Sequence, residues 1–284
     1  MAALQLVNLL IMHNPMTLEK KISHLLNSFK GTPPALALDF DGVISELKKD
    51  PRTASIDKHC LKLIVKLTNI LPNISIISGR STDDLKSKVG LDNLTYMGNH
   101  GAEYIEGGQI VRQSPEGTEE IIKSALDYIK LQTYKIDGLV HENKTISASV
   151  HYRGARDHAK TKEILTTILT NTPNIDKLDI FWGKQILEIR PHSKFNKGYA
   201  INELIKTKNI TNILFFGDDT TDLDAMIELK KLRESNNISG FSIYVSQDNE
   251  SNDQLLNNSD CSIKGISEVR KTLEQIFNKF DSVR

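Results

Sequence analysis

Short apolar runs, each ending in a cluster of polar residues, recur along this chain from Pro33 onward. Three of them are typical of buried strands: ALALDFDG (35–42), NISIISGR (73–80) and NILFFGDDTTD (212–222). Longer segments with apolar residues at helical spacing lie between such runs, as at 53–71. Strands that alternate with helices predict βαβ units, and hence an α/β fold with a doubly wound, mostly parallel sheet.

The pattern changes between residues 114 and 190. A helix at 118–133 precedes two strands, and a second helix at 157–170 precedes a hairpin that turns at Gly183. This αββαββ order predicts an antiparallel sheet with helices on one side. We therefore predict a core formed by residues 1–113 and 191–284, with an N-terminal extension at 1–30. The inserted α+β domain at 114–190 is called the cap below.

Composition limits the classes of function. The chain has 284 residues, a formal net charge of zero and two distant cysteines, Cys60 and Cys261. A chain without net charge lacks the excess of positive charge that is typical of proteins that bind nucleic acid or acidic membranes. Two cysteines that lie far apart in the sequence are consistent with a reducing cytosol. The apolar segment 2–12 is too short to span a bilayer and is expected to pack as a leading helix or tail. We expect a cytoplasmic monomer without nucleic-acid or membrane partners.

The polar clusters at the strand ends carry candidate chemistry. Ligands of open α/β sheets bind beyond the carboxyl ends of the strands, so the three clusters should converge. Asp39 and Asp41 lie two positions apart, which lets both side chains point to the same side. One carboxylate can attack phosphorus and form an aspartyl-phosphate. The other can protonate the leaving alkoxide and then activate water.

An anion that attacks a phosphate dianion needs compensating positive charge. Mg²⁺ is the expected cation, held by Asp39, the backbone carbonyl of Asp41, and Asp218. Lys197 would supply a second positive charge. Ser78 and the N–H groups of Gly79 and Arg80 can bind phosphate oxygens. Each motif alone also fits a turn, a helix start or a solvated acidic loop. Their order and strand-end placement together predict an Mg²⁺-dependent phosphoryl-transfer site.

These motifs, in this order, resemble those of the haloacid dehalogenase-like phosphatases, and the cap resembles the sugar-phosphate type of that superfamily. The resemblance implies that Asp39 is the nucleophile and Asp41 the general acid and base. It also implies that Ser78 and Lys197 bind phosphate, and that Asp218 binds Mg²⁺. Asp222 would be a further metal ligand or an anchor for the loop.

A closer resemblance, over residues 35 to 226, is to the trehalose-6-phosphate phosphatases. It is carried by segments that include GNHGAE (98–103), HENK (141–144), VHYR (150–153) and GKQILEIRP (183–191). It implies a sugar-binding set of His100, Glu142, Lys144, Arg153, Lys184 and Glu188. Alternation predicts that Glu142 and Lys144 lie on one face of a strand, and that Lys184 and Glu188 share a face of the last cap strand. Spacing alone slightly favours exposed cross-strand ion pairs for these four residues. The resemblance instead favours sugar binding by these four residues. Val43 and Leu223 depart from the common family pattern, and the departure at Leu223 leaves the metal affinity open.

The resemblance implies hydrolysis of trehalose 6-phosphate to trehalose and phosphate, the last step of trehalose biosynthesis. The partners would be a sugar phosphate and, in the same pathway, a separate trehalose-6-phosphate synthase. Several alternatives stay open: a capped phosphatase for sucrose 6-phosphate, a mannosyl-phosphoglycerate or a hexose phosphate, a mutase, or a non-catalytic sugar-phosphate sensor. A nucleotide-binding or redox role fits poorly, because neither G-x-G-x-x-G nor a P-loop follows the first strand.

Overall fold

Two separate β-sheets organise the chain in the computed structural model, which describes residues 17–106, 108–235, 237–247 and 252–281. The strands of the described residues are, in chain order, β1 (Ala35–Leu38), β2 (Ile74–Ile77), β3 (Thr95–Gly98), β4 (Glu103–Glu106), β5 (Gln109–Arg112), β6 (Val140–Asn143), β7 (Ala148–His151), β8 (Leu178–Gly183), β9 (Ile186–Pro191), β10 (Asn212–Gly217), β11 (Ser239–Ser246) and β12 (Cys261–Lys264). The α-helices are α1 (Leu18–Asn27), α2 (Lys58–Leu67), α3 (Thr82–Val89), α4 (Thr118–Thr133), α5 (His158–Leu169), α6 (Lys197–Lys208), α7 (Leu223–Glu234), α8 (Asp253–Asn258) and α9 (Gly265–Asp281).

The larger sheet has eight strands in the order β12-β11-β10-β1-β2-β3-β4-β5. All neighbours from β12 to β3 pair in parallel, whereas β4 and β5 pair antiparallel. The predicted doubly wound, mostly parallel α/β architecture is therefore confirmed. The β4–β5 hairpin was not predicted, because it lies at the sheet edge and lacks the continuous apolar run of a buried strand.

Both faces of the larger sheet are covered by helices. Along β1, Leu36 and Leu38 point into one apolar cluster, which includes residues of α1, α2 and α9. Ala35 and Ala37 point into the other, which includes residues of α6 and α7. Because successive side chains alternate between faces, an entirely buried strand needs cover on both sides. This arrangement leaves the carboxyl edge of the parallel strands for a binding site.

The smaller sheet belongs to the cap and has the antiparallel order β6-β7-β9-β8. One face carries Val150, Leu187 and Trp182, which join α4 and α5 in a separate apolar cluster. The alternate positions of the same strands face the larger sheet. One cross-strand row of that second face runs through Glu142, Ser149, Glu188 and Phe181. We call this face the polar face of the cap.

The register corrects one detail of the sequence analysis. Lys144 was expected to alternate with Glu142 on one strand, but β6 ends at Asn143 and Lys144 lies in the turn before β7. Lys184 likewise lies in the turn between β8 and β9. Turn residues can reach beyond the edge of a sheet, so both lysines still line the space below the cap.

The first and last of the described helices, α1 and α9, pack against the larger sheet. α1 begins after Thr17, whose side chain accepts a hydrogen bond from the N–H of Lys20, and it buries Ile22, Leu25 and Leu26. The leading helix or tail predicted at 2–12 lies outside the described residues. Among the residues that the structure describes, no helix combines the length and the apolar character needed to cross a bilayer.

Candidate active site

A cavity of about 1080 Å³ lies between the carboxyl edge of the larger sheet and the polar face of the cap. Its floor comes from the loops that follow β1, β2 and β10, and its roof comes from the cap. Every residue that the sequence analysis proposed for the site lines it, apart from Asp222, which is fully buried directly beneath. The convergence predicted from the strand ends is therefore present in the structure.

Asp39 lies at the buried end of β1, beside the equally buried Lys197 at the start of α6. Lys197 Nζ lies 3.0 Å from Asp39 Oδ1 and donates to Asp222 Oδ1 at 2.6 Å. Burial raises the pKa of Asp39 to about 8, assisted by Asp222 and Asp41 and opposed by Lys197. Burial would lower the pKa of Lys197, but Asp222 and Asp39 outweigh it and raise that pKa. Lys197 is therefore a fixed positive charge.

Asp222 shapes the acidic loop after β10. Its Oδ2 accepts hydrogen bonds from the backbone N–H groups of Asp218 and Asp219, each at 2.9 Å. Asp219 in turn accepts from the N–H of Thr220 and completes a capping box. Gly217 leaves room for this arrangement, because a Cβ there would lie 2.4 Å from Cγ of Asp222. In this geometry Asp222 acts as the anchor of the loop.

Three carboxylates are close enough to share one cation. Ligand oxygens of Asp39, Asp218 and Asp222 all lie within 4.8 Å of one another. Burial, followed by the charges of Asp39, Asp222 and Asp219, raises the pKa of Asp218 well above its usual range. A buried oxygen cluster of this kind fits a hard divalent cation such as Mg²⁺, which would neutralise the charge that Lys197 leaves uncompensated. The metal ligands would then be Asp39 and Asp218, and Asp222 would lie behind them.

Gly42 allows this cluster to assemble next to β1. Its φ is +79°, and a Cβ would lie 2.0 Å from Asp218 Oδ2. Gln247, just beyond β11, donates from Nε2 to the carbonyl of Gly42 at 3.0 Å and to Asp218 Oδ2 at 3.3 Å. Gln247 was missed by the sequence analysis, because no motif surrounds it.

The side chain of Asp41 points away from this cluster, toward Arg80. Arg80 Nε donates to Asp41 Oδ2 at 2.6 Å and Nη2 donates to Oδ1 at 2.9 Å. The same guanidinium donates to Asp84 at 2.6 Å and to the carbonyl of Pro51 at 2.9 Å. The sequence analysis considered only the N–H of Arg80, which here donates to Ser78 Oγ at 3.4 Å. The atom of Asp41 that could bind a metal is therefore its backbone carbonyl oxygen, which is the ligand that the sequence analysis expected.

The turn after β2 touches the cap directly. The carbonyl of Gly79 accepts a hydrogen bond from Lys144 Nζ at 2.8 Å. A Cβ on Gly79 would lie 2.5 Å from His100 Nε2 and 3.3 Å from Glu188 Oε1. Glycine at position 79 therefore leaves room for the ring of His100, and the carboxylate of the cap residue Glu188 lies just beyond it. Ser78 lies beside it, buried at the end of β2.

His100 stands in a strained loop that is held by the cap. Asn99 and His100 both have left-handed backbone angles, with φ of +46° and +57°. Asn99 Nδ2 donates to the carbonyl of Lys144 at 3.2 Å, and Asn99 Oδ1 accepts from the hydroxyl of Ser147. Burial, followed by the charge of Arg190, lowers the pKa of His100 to about 3. His100 is thus a neutral imidazole at physiological pH.

Glu188 forms the centre of a buried polar cluster below the cap. Its Oε2 lies 3.1 Å from His100 Nε2, its Oε1 lies 3.8 Å from Lys144 Nζ, and it also pairs with Arg190. Burial alone would raise the pKa of Glu188, but the positive charges of Arg190 and Lys144 hold it well below its usual range. Lys144 is 5% exposed and Glu188 is 8% exposed. The interpretation of these two residues as exposed surface pairs is therefore wrong.

The remaining predicted cap residues surround this cluster. Glu142 pairs with His151 at 3.1 Å. Burial would raise its pKa, but Lys144 and His151 lower it to about 2. Arg153 donates to the carbonyl of Lys48 in the core at 2.8 Å, and to the carbonyl of Lys184 at 3.1 Å. The roof of the cavity therefore carries both carboxylates and cations.

The sequence analysis missed Arg190, His151 and Phe181 as lining residues. Arg190 lies two positions after Glu188, so strand alternation alone could have placed it on the same face. Phe181 reaches that face only because it pairs with Glu188 across β8 and β9. A register of that kind is not visible in the sequence.

Comparison with known proteins gives the family of the chain. The family model for trehalose-phosphatase matches residues 37–260. Trehalose-phosphate phosphatase B of Arabidopsis thaliana is 29% identical over 270 residues, which is 89% of this chain and 68% of that protein. Trehalose-phosphate phosphatase of Mycobacterium bovis (strain BCG / Pasteur 1173P2) is 30% identical over 200 residues, which is 68% of this chain and 50% of that protein.

Solved structures support the fold. The C-terminal domain of trehalose-6-phosphate phosphatase from C. albicans superposes with a TM-score of 0.75 at 22% identity, and covers 90% of this chain and 96% of that chain. A trehalose-6-phosphate phosphatase related protein gives a TM-score of 0.66 at 23% identity, over 86% of this chain and 97% of that chain. The family model matches most of the chain, and it spans both the strand-end loops and the cap. The chain therefore belongs to the trehalose-phosphatase family, whose members are phosphoric monoester hydrolases.

Proposed function

We propose that the protein hydrolyses trehalose 6-phosphate to trehalose and inorganic phosphate, with Mg²⁺ as the metal and an aspartyl-phosphate as the intermediate. One observation carries the proposal: the buried Asp39–Lys197 pair lies on the floor of a cavity whose roof is the polar face of the cap. The residues of the floor can attack a phosphoryl group and bind its charge. The residues of the roof can form hydrogen bonds with a polyhydroxylated molecule. Family membership supports this combination over the other capped sugar phosphatases.

In the first step, an oxygen of Asp39 attacks phosphorus and the bond from phosphorus to the sugar oxygen breaks. Asp41 gives its proton to the leaving alkoxide. Ser78 and the N–H groups of Gly79 and Arg80 hold the phosphoryl oxygens, and Lys197 keeps a positive charge beside Asp39. In the second step, Asp41 takes a proton from water, the water oxygen attacks phosphorus, and Asp39 is released with inorganic phosphate. Mg²⁺ on Asp39 and Asp218 would supply the further positive charge that an anionic nucleophile requires.

The cap supplies recognition of the sugar in this proposal. Glu142 and Glu188 accept hydrogen bonds from hydroxyl groups, whereas Lys144, Lys184 and Arg153 donate them. His100 is neutral and adds a ring nitrogen without charge. We propose that residues 114–190 act as a domain that closes over the substrate, with its hinges near Ser114–Pro115 and Pro191–His192. Closure excludes bulk water from the reacting phosphate.

The test is phosphate release from a panel of substrates with and without Mg²⁺. The panel contains trehalose 6-phosphate, sucrose 6-phosphate, glucose 6-phosphate and p-nitrophenyl phosphate. We expect Mg²⁺-dependent release with a strong preference for trehalose 6-phosphate. Preference for another sugar would retain the phosphatase and reject the substrate. Transfer of phosphate between sugar positions would indicate a mutase, and binding without release would indicate a sensor.

A cap variant separates recognition of the sugar from phosphoryl chemistry. We expect Glu188→Gln to lower kcat/KM for trehalose 6-phosphate by about tenfold to a hundredfold, because a charged hydrogen bond to the substrate is lost. Turnover of p-nitrophenyl phosphate should change much less. Glu163→Gln is the matched control, since Glu163 is exposed on α5, on the opposite side of the cap sheet. Equal loss on both substrates would contradict the assignment of the cap.

The proposal also gives the protein a place in metabolism. It would act as a cytoplasmic monomer in the last step of trehalose biosynthesis, with a separate trehalose-6-phosphate synthase as the source of its substrate. Assays of trehalose 6-phosphate in cells that lack this protein would test that place. The sugar phosphate should accumulate if no other enzyme removes it.

A further inference from the structure

Phe181 lies on the polar face of the cap and lines the cavity. It is 43% exposed, whereas Tyr244, which also lines the cavity, is 3% exposed. Its neighbour Trp182 also lines the cavity, but the Trp182 ring packs on the apolar cluster of the cap, where it meets Tyr152 edge-on with centroids 6.2 Å apart. Phe181 therefore contributes little to the apolar cluster of the cap. A large apolar side chain in a cavity of this size offers a contact surface for an apolar part of a ligand.

The position of Phe181 relative to the acidic residues is set by the sheet. Phe181 pairs directly with Glu188, and the same row continues through Ser149 to Glu142. Neighbouring strands are about 4.8 Å apart, so the row spans about 14 Å from β6 to β8. Glu188 lies above Gly79, in the turn proposed to hold phosphate. Phe181 is one strand further out, on the edge strand of the cap sheet.

The ring is held in place by a buried cation. The Arg190 guanidinium carbon lies 4.5 Å from the centroid of the Phe181 ring. Arg190 is itself buried, and it donates to His100 Nε2 at 2.6 Å and to Glu188. One face of the ring is thus covered by a group that cannot easily move. A ring that is fixed before binding loses little conformational freedom when a ligand contacts it.

A pyranose ring has the surface that would complement this arrangement. Its hydroxyl groups point outward around the rim, while its axial C–H bonds form an apolar patch on one face. Aromatic rings bind such patches by stacking, while nearby carboxylates accept from the hydroxyls. A glucose bearing the phosphate over Asp39 would occupy the space beneath Glu188. A second ring linked to it would extend toward an edge of the cap sheet.

We propose that Phe181 is a stacking platform for the second, non-phosphorylated hexose ring and so favours disaccharide phosphates over monosaccharide phosphates. This inference rests on the function proposed above. It assigns Phe181 a role in substrate specificity and none in the chemical step. The residue contacts substrate only beyond the glycosidic bond, so a substrate without a second ring gains nothing from it.

The test compares Phe181→Ala, Phe181→Leu and Phe181→Tyr with the unchanged protein. We expect the alanine and leucine variants to raise KM for trehalose 6-phosphate by roughly threefold to tenfold, with kcat nearly unchanged. KM for glucose 6-phosphate and p-nitrophenyl phosphate should not change. Phe181→Tyr keeps the aromatic face and should keep the original KM. Leu131→Ala is the matched control, because Leu131 is an exposed apolar residue on α4, outside the cavity.

Two results would overturn the proposal: an unchanged KM for trehalose 6-phosphate in Phe181→Leu, or an equal change for glucose 6-phosphate. Thermal unfolding of each variant verifies that the cap is folded. Inhibition by free trehalose provides a second readout, since its inhibition constant should rise in Phe181→Ala while that of inorganic phosphate stays the same. Failure of the proposed function looks different, because the unchanged protein itself would then show no preference for trehalose 6-phosphate.

Discussion

The guanidinium of Arg80 holds both carboxylate oxygens of Asp41, with Nε 2.6 Å from Oδ2 and Nη2 2.9 Å from Oδ1. Arg80 is itself fixed by Asp84 and by the carbonyl of Pro51, and its guanidinium lies over the ring of Phe40. Two parallel hydrogen bonds determine both the position and the rotation of a carboxylate. The side chain proposed to carry the proton is therefore positioned by the turn that is proposed to bind phosphate.

Replacing Arg80 by lysine should slow catalysis while the positive charge is kept. In Arg80→Lys the ammonium cannot make two parallel bonds, so Asp41 would lose its fixed orientation. We expect kcat for trehalose 6-phosphate to fall by about tenfold to a hundredfold, while the thermal midpoint shifts by only a few degrees. Steady-state kinetics and calorimetry measure the two effects. Arg112→Lys is a control, because Arg112 pairs with Glu103 at the edge of the larger sheet. An unchanged kcat in Arg80→Lys would show that Asp41 needs no such positioning.

Asp41→Asn should separate the two chemical steps. A sugar alkoxide needs a proton in order to leave, whereas p-nitrophenolate leaves readily without one. The variant should therefore transfer phosphate from p-nitrophenyl phosphate to Asp39 and then stall, because no base activates the water. We expect one equivalent of p-nitrophenolate in a burst, followed by turnover that is slower by about a hundredfold or more.

Mass spectrometry of the acid-quenched Asp41→Asn protein provides the direct measurement. A mass increase of one phosphoryl group, located on the peptide that contains Asp39, is the expected result. Asp39→Asn should show neither the burst nor the mass increase, and it should remain folded. Sustained turnover by Asp39→Asn would contradict the covalent mechanism.

The metal-free protein should lose stability as the pH rises. The pKa of Asp39 is about 8 in the folded protein, against an ordinary value of 3.8. Between these values the folded state keeps a proton that the unfolded state has released, so the contribution of Asp39 to the free energy of unfolding decreases from about pH 4 to pH 8. Unfolding measured in a chelator should show this slope. Asp39→Asn should reduce it.

Mg²⁺ should have the opposite effect on how the free energy of unfolding depends on pH. A divalent cation on Asp39 and Asp218 favours their ionised forms, so its stabilisation should grow as the pH rises toward 8. The difference between unfolding midpoints with Mg²⁺ and with chelator, measured at several pH values, provides this test. A difference that does not depend on pH would place the metal away from these carboxylates.

Gly42 and Gly90 offer a matched pair of substitutions. Both have a left-handed backbone, but a Cβ on Gly42 would lie 2.0 Å from Asp218 Oδ2, whereas a Cβ on Gly90 meets nothing within 4 Å. Gly90→Ala should cost about 1 kcal/mol of stability and leave kcat unchanged. Gly42→Ala should cost more, about 2–4 kcal/mol, and should greatly reduce activity because it displaces a proposed metal ligand. Denaturant unfolding and kinetics on both variants measure the contrast.

The sequence by itself determined the architecture of the core and the location of the candidate site. The strands β1, β2 and β10 are apolar runs of the kind that is typical of buried strands, and polar residues follow each of them. Parallel pairing brings these polar residues to one edge of the sheet. Asp39, Ser78 and Asp218 could therefore be placed together without coordinates. The change of pattern at 114–190 likewise predicted the second, antiparallel sheet, because local periodicity reports which face of each element is buried.

Only the tertiary structure decided how the side chains of the site meet. The bond from Lys144 to the Gly79 carbonyl, the clamp of Arg80 on Asp41 and the row from Glu142 to Phe181 each join segments that are distant in the chain. Strand register and the docking of the cap on the core arise from many long-range contacts at once. A shift of one residue in register would turn Glu188 and Phe181 to the opposite face of the cap sheet, so local sequence patterns cannot specify these relationships.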